Sequence, residues 1–285
     1  MSKILHIVPG TDDVANGMVV VARLLAKEQG DAEVVGLNAG FNAIGKGNVE
    51  EVWVHGMWLP KEWCVCLKAL KEGKRLVRMT HGSLSPVYLK NQSPIKKRLV
   101  SPIERYLLRE ADKVIATCQA EADWIRAYES RVKAVEVTDV KRFFRLKATP
   151  FSIPPPSLHL LYLGRRHLLK GIQYLESAVA QLNASSHIPH PPSLRIVSNA
   201  MGKTLEDAWN WCDILILPTL SDNFGLVIAE ALERGKCVIT TDGAPAWGDG
   251  NTYGGRLTYL TGYRDGTPEQ RVQLLKSAIV KLCHS

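Results

Sequence analysis

The stretch "CDILILPTLSDNFGLVIAEALERGKCVITT", residues 212–241, carries the pattern that decides the fold. The unbroken apolar run in "CDILILP" predicts a buried strand, "FGLVIAEALERG" predicts a helix, and "CVITT" predicts a second strand. A strand, a helix and a strand in close succession indicate an α/β unit. Two carboxylates, Asp222 and Glu230, lie across the start of this largely apolar helix, and the rest of the sequence must account for them.

The same rhythm extends over the whole chain, because short apolar runs alternate with amphipathic helical stretches. In the first half the predicted strands are Ile4–Val8, Glu33–Leu37, Val52–His55, Arg75–Met79, Lys113–Thr117 and Val132–Val137. In the second half they are "LHLLYLG", "LRIVS", "CDILILP" and "CVITT". Two doubly wound, Rossmann-like units are therefore expected, with a ligand cleft at the carboxyl ends of their strands.

A break in the pattern separates the two halves. The segment "TDVKRFFRLKATPFSIPPPS", residues 138–157, combines a charge run with three consecutive prolines. Such a segment interrupts regular structure and is typical of a domain boundary. We therefore predict an amino-terminal domain of residues 1–150 and a carboxyl-terminal domain of residues 151–285.

Composition and cysteine usage limit the class of protein. The chain has 285 residues, 46% of them hydrophobic, so it is long enough for two globular domains. No apolar run approaches the ~20 residues that cross a bilayer, and "MSKILHIVPG" lacks the features of a signal peptide, so we expect a cytoplasmic protein. The six scattered cysteines indicate reduced core thiols rather than a zinc site.

The formal net charge of +8 favours acidic partners. Cations concentrate in "KNQSPIKKRLVSPIERYLLRE", residues 90–110. Leu, Ile, Val and Tyr lie there between the basic residues of one helical stretch, the basic segment 90–109. Two interpretations have equal weight: a solvated helix face, or docking to an anionic membrane surface. Nucleic acid is not expected as a partner, because no motif or aromatic platform for binding it is present.

The turn "GRRHLLKG", residues 164–171, collects cations between a strand and a helix. Arg165 and Lys170, together with backbone N–H groups at the helix start, would suit a diphosphate. The alternative is a surface loop with ordinary charges. The sequence of this turn alone favours the diphosphate site only modestly.

The two acids of the opening stretch suggest a polyol. A buried, unpaired carboxylate is costly, but it is tolerated where hydroxyl groups or cations meet it. A ribose or a hexose could supply those hydroxyls to Asp222 and Glu230, and "NFG" exposes backbone N–H groups between them. The alternative is that Asp222 caps the helix and Glu230 faces solvent.

These motifs together resemble the carboxyl-terminal signature of retaining GT-B glycosyltransferases of the large family four. In that family a G-R-x-x-x-x-K-G turn precedes an acid-x7-acid stretch containing F-G-L-x-x-x-E-A, and then G-x-P-V-I-x-T; the spacing in this chain is the same. The first half is similar to the family in "THGSLSP", in the basic helix and in "ADKVIATCQAE". The resemblance covers most of the chain and implies the GT-B fold, two Rossmann-like domains facing a cleft.

The resemblance also implies roles for individual residues. Arg165 and Lys170 would bind the donor diphosphate, Glu230 the nucleotide ribose, Asp222 the transferred sugar, and His81 would lie near the donor sugar. The implied catalytic residues are thus His81, Arg165, Lys170 and Asp222. The implied donor-binding residues are Asn16, Gly17, Gly164, Arg165, Lys170, Asn223, Phe224, Gly225 and Glu230. His55 and Trp58 resemble an acceptor-side segment, although a core position is nearly as well supported for Trp58.

The implied reaction moves a hexose-type sugar from a nucleotide diphosphate sugar, UDP- or GDP-linked, to a hydroxyl group with retained anomeric configuration. No cofactor is expected, and no metal, because nothing resembles a D-x-D motif. "TTDGAPAWGD" is similar to a variant found in enzymes of bacterial lipopolysaccharide and cell-surface polysaccharide assembly. The implied acceptor is a glycan or glycolipid, reached from the inner face of the cytoplasmic membrane.

Two rival functions remain open at this point. One is a nucleotide-sugar epimerase of the same fold, and the other is a non-catalytic relic that binds membrane or nucleic acid. Asp222 stands where the family usually has Glu, which is one methylene longer, so the carboxylate of Asp222 reaches less far towards the sugar.

Overall fold

The protein is described by a computed structural model over residues 3–10, 17–46, 48–146, 158–185, 191–198 and 200–283. The chain forms two compact units, Met1–Val140 and Lys141–Ser285, here called the amino-terminal and carboxyl-terminal units. The division falls between residues 140 and 141, earlier than the expected boundary at residue 150. The three consecutive prolines of the predicted boundary lie outside the described residues.

The amino-terminal unit contains a six-stranded parallel sheet with the strand order β2-β1-β3-β4-β5-β6. Its strands are β1 Lys3–Val8, β2 Ala32–Gly36, β3 Val49–His55, β4 Arg75–Met79, β5 Lys113–Ala116 and β6 Val135–Val137. Its helices are α1 Gly17–Gln29, α2 Leu37–Ala43, α3 Pro60–Lys71, α4 Pro86–Asn91, α5 Pro94–Glu110 and α6 Gln119–Tyr128. The order reverses between β1 and β3, and ligands of doubly wound sheets bind beside such a reversal.

The basic segment at residues 90–109 differs from its prediction as one helical stretch. Lys90 lies in α4, the chain is extended at Gln92 (ψ 146°), and α5 begins at Pro94. Proline favours the first turn of a helix, so Pro94 starts α5, and the predicted stretch is divided at residues 92 and 93.

The carboxyl-terminal unit contains a five-stranded parallel sheet with the order β11-β10-β9-β7-β8. Its strands are β7 His159–Leu163, β8 Ser193–Val197, β9 Ile214–Leu217, β10 Cys237–Thr241 and β11 Leu257–Leu260. Its α-helices are α7 Ile172–Asn183, α8 Gly202–Trp211, α9 Leu226–Glu233 and α10 Pro268–Cys283. Every residue of β9 and β10 is buried, as expected for central strands of a parallel sheet covered on both faces. The predicted α/β class with two Rossmann-like units is confirmed.

Within the described ranges, no helix has the length and hydrophobicity needed to span a bilayer. Five of the cysteines are free thiols, of which Cys66, Cys212 and Cys237 are buried and Cys64 is exposed. Core thiols therefore account for most of the described cysteines, but not for Cys64.

Candidate functional site

Two loops of the carboxyl-terminal unit meet where its strand order reverses. The β7–α7 turn, residues 164–171, follows β7, and the β9–α9 loop, residues 218–225, follows the neighbouring strand β9. Leu220 donates its backbone N–H to the carbonyl of Leu169 at 2.8 Å, and the Thr219 hydroxyl donates to the same oxygen at 3.1 Å. The pairing of β7 with β9 therefore brings both predicted donor-binding segments together.

Gly171 allows this close approach. Its backbone is left-handed (φ 67°), and a Cβ atom there would lie only 2.0 Å from the carbonyl oxygen of Pro218. A side chain at this position would therefore push the β7–α7 turn away from the β9–α9 loop.

A third loop, after β10, supports the β9–α9 loop from the other side. Asp222 donates its backbone N–H to the carbonyl of Gly243 at 2.8 Å, and the Thr241 hydroxyl donates to the carbonyl of Thr219 at 2.5 Å. Asp222 is thus fixed by its backbone as well as by its side chain.

Lys170 and Asp222 form an ion pair at the centre of these loops. Lys170 Nζ lies 2.5 Å from Asp222 Oδ2, and the side chains are 22% and 20% exposed. Asp222 Oδ1 accepts the backbone N–H of Asn223 at 2.9 Å. The two residues are 52 positions apart in the chain, so the fold creates a partly exposed charge pair from two motifs that sequence analysis treated separately.

Arg165, in the same turn as Lys170, has its charge available. Its side chain is exposed, and within the described part of the chain its guanidinium makes no hydrogen bond or ion pair, whereas the neighbouring Arg166 lies 3.4 Å from Glu176. The Tyr162 hydroxyl donates to the carbonyl of Arg165 at 3.0 Å and so fixes the turn. Burial, and then the negative charge of Asp222, raises the pKa of Tyr162, which keeps this hydroxyl protonated.

The "NFG" segment, residues 223–225, leads into α9. Phe224 is a core residue: its ring packs on Trp247 and its carbonyl accepts the Trp247 indole N–H at 2.5 Å. Gly225 precedes α9 in the left-handed conformation (φ 66°), and no side chain of the described ranges caps the helix there. The first N–H groups of α9 therefore lack the partner that a capping side chain would supply.

Glu230 lies in the second turn of α9 and is partly buried. Burial raises the pKa of its carboxyl; Arg234 opposes this rise and Glu233 adds to it. Among the described residues its carboxylate makes no hydrogen bond or ion pair. Such a group is a candidate for binding a hydroxyl-bearing ligand.

The amino-terminal unit contains a chain of hydrogen-bonded histidines that sequence analysis did not predict. His55 Nδ1 lies 2.8 Å from His81 Nε2, and His55 Nε2 lies 2.9 Å from His6 Nδ1. His6 Nε2 lies 2.6 Å from Gln29 Oε1. The chain crosses the adjacent strands β1 and β3 and ends after β4, at the partly exposed His81.

Glu121 positions the backbone around His81, whose φ of 49° is unusual for a residue other than glycine. The buried carboxylate of Glu121 accepts the Gly82 N–H at 2.6 Å, the Thr80 hydroxyl at 2.7 Å, and both the N–H and the hydroxyl of Thr117 at 2.7 and 2.8 Å. Glu121 therefore joins the turn after β4 to the end of β5.

The two acceptor-side residues are both buried. Trp58 is 5% exposed, and its backbone N–H donates to Glu104, which also pairs with Arg78 at 3.2 Å in the interior. His55 has no exposed surface, and both of its ring nitrogens face other histidines. Any contribution of His55 to an acceptor would therefore be made through His81, and the role of Trp58 stays a prediction.

The remaining predicted residues are placed as follows. Asn16 lies outside the described residues, and Gly17 is the first residue of α1. No cluster of three His, Cys, Asp or Glu side chains suited to a metal ion occurs in the part of the chain that the structure describes. Sequence analysis missed Tyr162, Glu121, His6 and Gln29 as residues that shape the site.

The buried histidines predict acid sensitivity. Burial lowers the pKa of His6 to about 4, and burial with the neighbouring His81 and His6 charges lowers that of His55 well below 6.5. Below pH 6.5 the unfolded chain binds protons that the folded chain does not, so stability falls as the pH falls towards the folded-state pKa values. Burial also lowers the pKa of His81 to about 3, so we expect the free energy of unfolding to decrease by about 1 kcal/mol for each of the three histidines between pH 7 and pH 5.5.

Urea unfolding across this pH range would measure the effect. A His6→Gln variant should lose less stability on acidification than the wild type, whereas His167→Gln, which removes an exposed histidine, should match the wild type. If the stability of His6→Gln and that of the wild type depended equally on pH, His6 would not contribute to the acid sensitivity.

Residues 12–140 match a family model described as a glycosyl transferase 4-like domain. The match covers the six-stranded unit except β1, so it includes Gln29, His55 and His81 but not His6. No curated protein sequence matches the chain.

Several solved structures share the fold. Sucrose-phosphate synthase from Thermosynechococcus elongatus is 15% identical with a TM-score of 0.69, and the match covers 99% of this chain and 90% of the synthase. A trehalose-phosphate synthase (UDP-forming) from Burkholderia xenovorans, in complex with glucose-6-phosphate, is 10% identical with a TM-score of 0.64, covering 99% and 92%. The lipopolysaccharide outer core galactosyltransferase WaaB is 14% identical with a TM-score of 0.59, covering 98% and 90%.

Residues 12–140 thus match a glycosyl transferase 4-like domain, and the fold of the whole chain is shared with the GT-B glycosyltransferases among these solved structures. The expected resemblance to such enzymes is confirmed. At these identities the structural likeness shows the fold alone.

Proposed function

We propose that the protein transfers a hexose-type sugar from a UDP- or GDP-linked donor to a hydroxyl group of a glycan or glycolipid. The observation that carries this proposal is the Lys170–Asp222 pair, held at the strand reversal of the carboxyl-terminal unit, where the turn that contains Lys170 also carries the available charge of Arg165. Crevices at such reversals bind nucleotides in doubly wound sheets. Two cations and the uncapped start of α9 suit the negative charge of a diphosphate.

The carboxylates suit the hydroxyl-bearing parts of the donor. Glu230 is partly buried with a raised pKa and could accept hydrogen bonds from a ribose. Asp222 lies next to Lys170, so a sugar hydroxyl bound by Asp222 would be adjacent to the diphosphate bound by Lys170. Phosphate and sugar would thus meet at the bond that breaks.

In the proposed reaction the bond between the anomeric carbon and the diphosphate oxygen breaks first. Arg165 and Lys170 stabilise the negative charge that grows on the departing diphosphate. This charge is greater in the transition state than in the bound donor, so the stabilisation accelerates the reaction. The sugar becomes oxocarbenium-like, and the acceptor hydroxyl attacks the same face while it gives its proton to the leaving diphosphate. The anomeric configuration of the sugar is then retained, and the two cations stabilise the charge on the leaving diphosphate without a metal ion.

The acceptor is proposed to be attached to a membrane lipid. On α5, Ile95 and Leu99 are each 72% exposed on successive turns, and Arg98 is exposed between them. Arg105 and Arg109 contribute less, because both lie within 4 Å of Glu129, at 3.9 and 3.8 Å. The part of α5 suited to an anionic membrane is therefore its amino-terminal half, and WaaB, a lipopolysaccharide enzyme of similar fold, supports a cell-envelope setting.

Donor binding is the first test. A thermal-shift panel of UDP-, GDP-, ADP-, dTDP- and CMP-sugars should raise the melting temperature with one nucleotide selectively, because a ligand of the folded state stabilises it. The Glu230→Ala variant should need at least about 10-fold more donor to reach the same shift of the melting temperature, because it lacks one charge-assisted hydrogen bond to the donor. Glu269→Ala removes an exposed carboxylate of the same unit and should leave the shift unchanged. A folded protein that responds to none of the donors would contradict the proposal.

A further inference from the structure

The histidine chain of the amino-terminal unit has a direction, and this direction determines what His81 can bind. It links Gln29 Oε1, His6, His55 and His81 through contacts of 2.6, 2.9 and 2.8 Å. His6 and His55 are fully buried, whereas His81 is partly exposed, so only the last ring can reach a ligand.

All three imidazoles are neutral at pH 7. Burial lowers the pKa of His6 to about 4 and that of His81 to about 3, and it lowers the pKa of His55 well below 6.5. A neutral imidazole has one N–H donor and one acceptor nitrogen. The donors along the chain must therefore all point the same way.

Gln29 sets that direction. Its Oε1 is a carbonyl oxygen and only accepts, so His6 Nε2 carries the proton and His6 Nδ1 accepts. His55 then donates from Nε2 and accepts at Nδ1, and His81 donates from Nε2. The nitrogen left over is His81 Nδ1, which has a lone pair and no proton.

We infer that Gln29, His6 and His55 are positioning residues that hold His81 in its Nε2–H form, so that His81 Nδ1 is a hydrogen-bond acceptor. An acceptor nitrogen binds a hydroxyl group and disfavours a phosphate oxygen. In the context of the proposed function, on which this part rests, His81 would contact a sugar hydroxyl and not the diphosphate. Its backbone is already fixed for this task by the bonds of Glu121 to Gly82 and Thr80.

Nuclear magnetic resonance of the full chain with ¹⁵N-labelled histidine tests the assignment without any assay of activity. Single His→Gln variants assign the signals. At pH 7 we expect His6, His55 and His81 each to show a protonated Nε2 and an unprotonated Nδ1. A wild-type His81 protonated at Nδ1 would overturn the inference, whatever the variants do.

Variants of Gln29 test the source of the direction. Gln29→Glu keeps an acceptor-only oxygen and should keep the wild-type pattern. Gln29→Met removes the acceptor at similar size and should give His81 a mixture of both tautomers. Gln181→Met, an exposed glutamine of the other unit, is the control and should change nothing. An unchanged His81 tautomer in folded Gln29→Met would overturn the positioning role.

Kinetics then separate this inference from the proposed function. If the protein transfers sugar, Gln29→Met should lower kcat about 10-fold with little change in nucleotide affinity, and Gln29→Glu should restore it. An equal loss in both variants would contradict the positioning role. The expected tautomers in a wild-type protein that transfers no sugar would support the inference and contradict the proposed function.

Discussion

A Lys170→Met variant is expected to transfer sugar about 10³-fold more slowly than the wild-type protein, the effect of removing one preorganised group that stabilises a leaving anion. Two losses combine in this variant. The cation that would face the diphosphate disappears, and Asp222, whose Oδ2 lies 2.5 Å from Lys170 Nζ, is left as an uncompensated negative charge. Both losses act most strongly on the transition state, where the negative charge on the diphosphate is greatest.

Single-turnover rates at saturating donor would measure this effect. Methionine keeps the length of the lysine side chain, and the Lys170–Asp222 pair is partly exposed, so its removal should cost about 1 kcal/mol of stability or less. Lys203→Met removes an exposed lysine of α8 in the same unit and should transfer at the wild-type rate. If Lys170→Met were folded and equally fast, Lys170 would have no role in the reaction.

A Gly171→Ala variant is expected to lose about 4 kcal/mol or more of its free energy of unfolding, or to fail to fold. The left-handed backbone alone would cost an alanine about 1 kcal/mol. The larger cost comes from the new Cβ, which would lie 2.0 Å from the carbonyl oxygen of Pro218 and would force the β7–α7 turn and the β9–α9 loop apart. Any folded fraction should therefore bind the donor weakly.

Gly262→Ala is the matched control for this prediction. Gly262 has a similar φ of 72°, but among the described residues, its two chain neighbours aside, no atom lies within 4 Å of where its Cβ would be. Its substitution should cost only the backbone term, about 1 kcal/mol. Denaturant unfolding of both variants would separate the cost of the left-handed backbone from the cost of the clash with Pro218. Equal losses of unfolding free energy in the two variants would contradict the role given to the contact with Pro218.

The sequence predicted the fold well where local patterns are strong. The apolar runs of β9 and β10 are central strands with every residue buried, and the predicted strands of both halves are present. Local patterns were weaker at β11, whose four residues follow a glycine-rich segment, and it was not predicted. The division of the basic segment at Pro94 was missed because the amphipathic pattern continues across the break.

The site was predictable only in part, for a physical reason. Motif spacing identified Arg165, Lys170, Asp222 and Glu230, since each lies in a local pattern next to a strand or helix end. The pairing of Lys170 with Asp222 depends on β7 and β9 being neighbours in the sheet, which the spacing does not give. The histidine chain likewise needs β1, β3 and β4 side by side. It joins His6 to His55, 49 positions apart, and His55 to His81, 26 positions apart.

The most direct test of the central claim is to identify the product formed from the donor that the thermal-shift panel selects. The labelled donor would be incubated with the wild type and Lys170→Met, with a glycolipid extract as acceptor, and the products resolved by nuclear magnetic resonance. We predict a new glycoside with the anomeric configuration of the donor in the wild type, and about 10³-fold less of it in the variant. Isomerised donor without any glycoside, or glycoside formed equally by both proteins, would contradict the account.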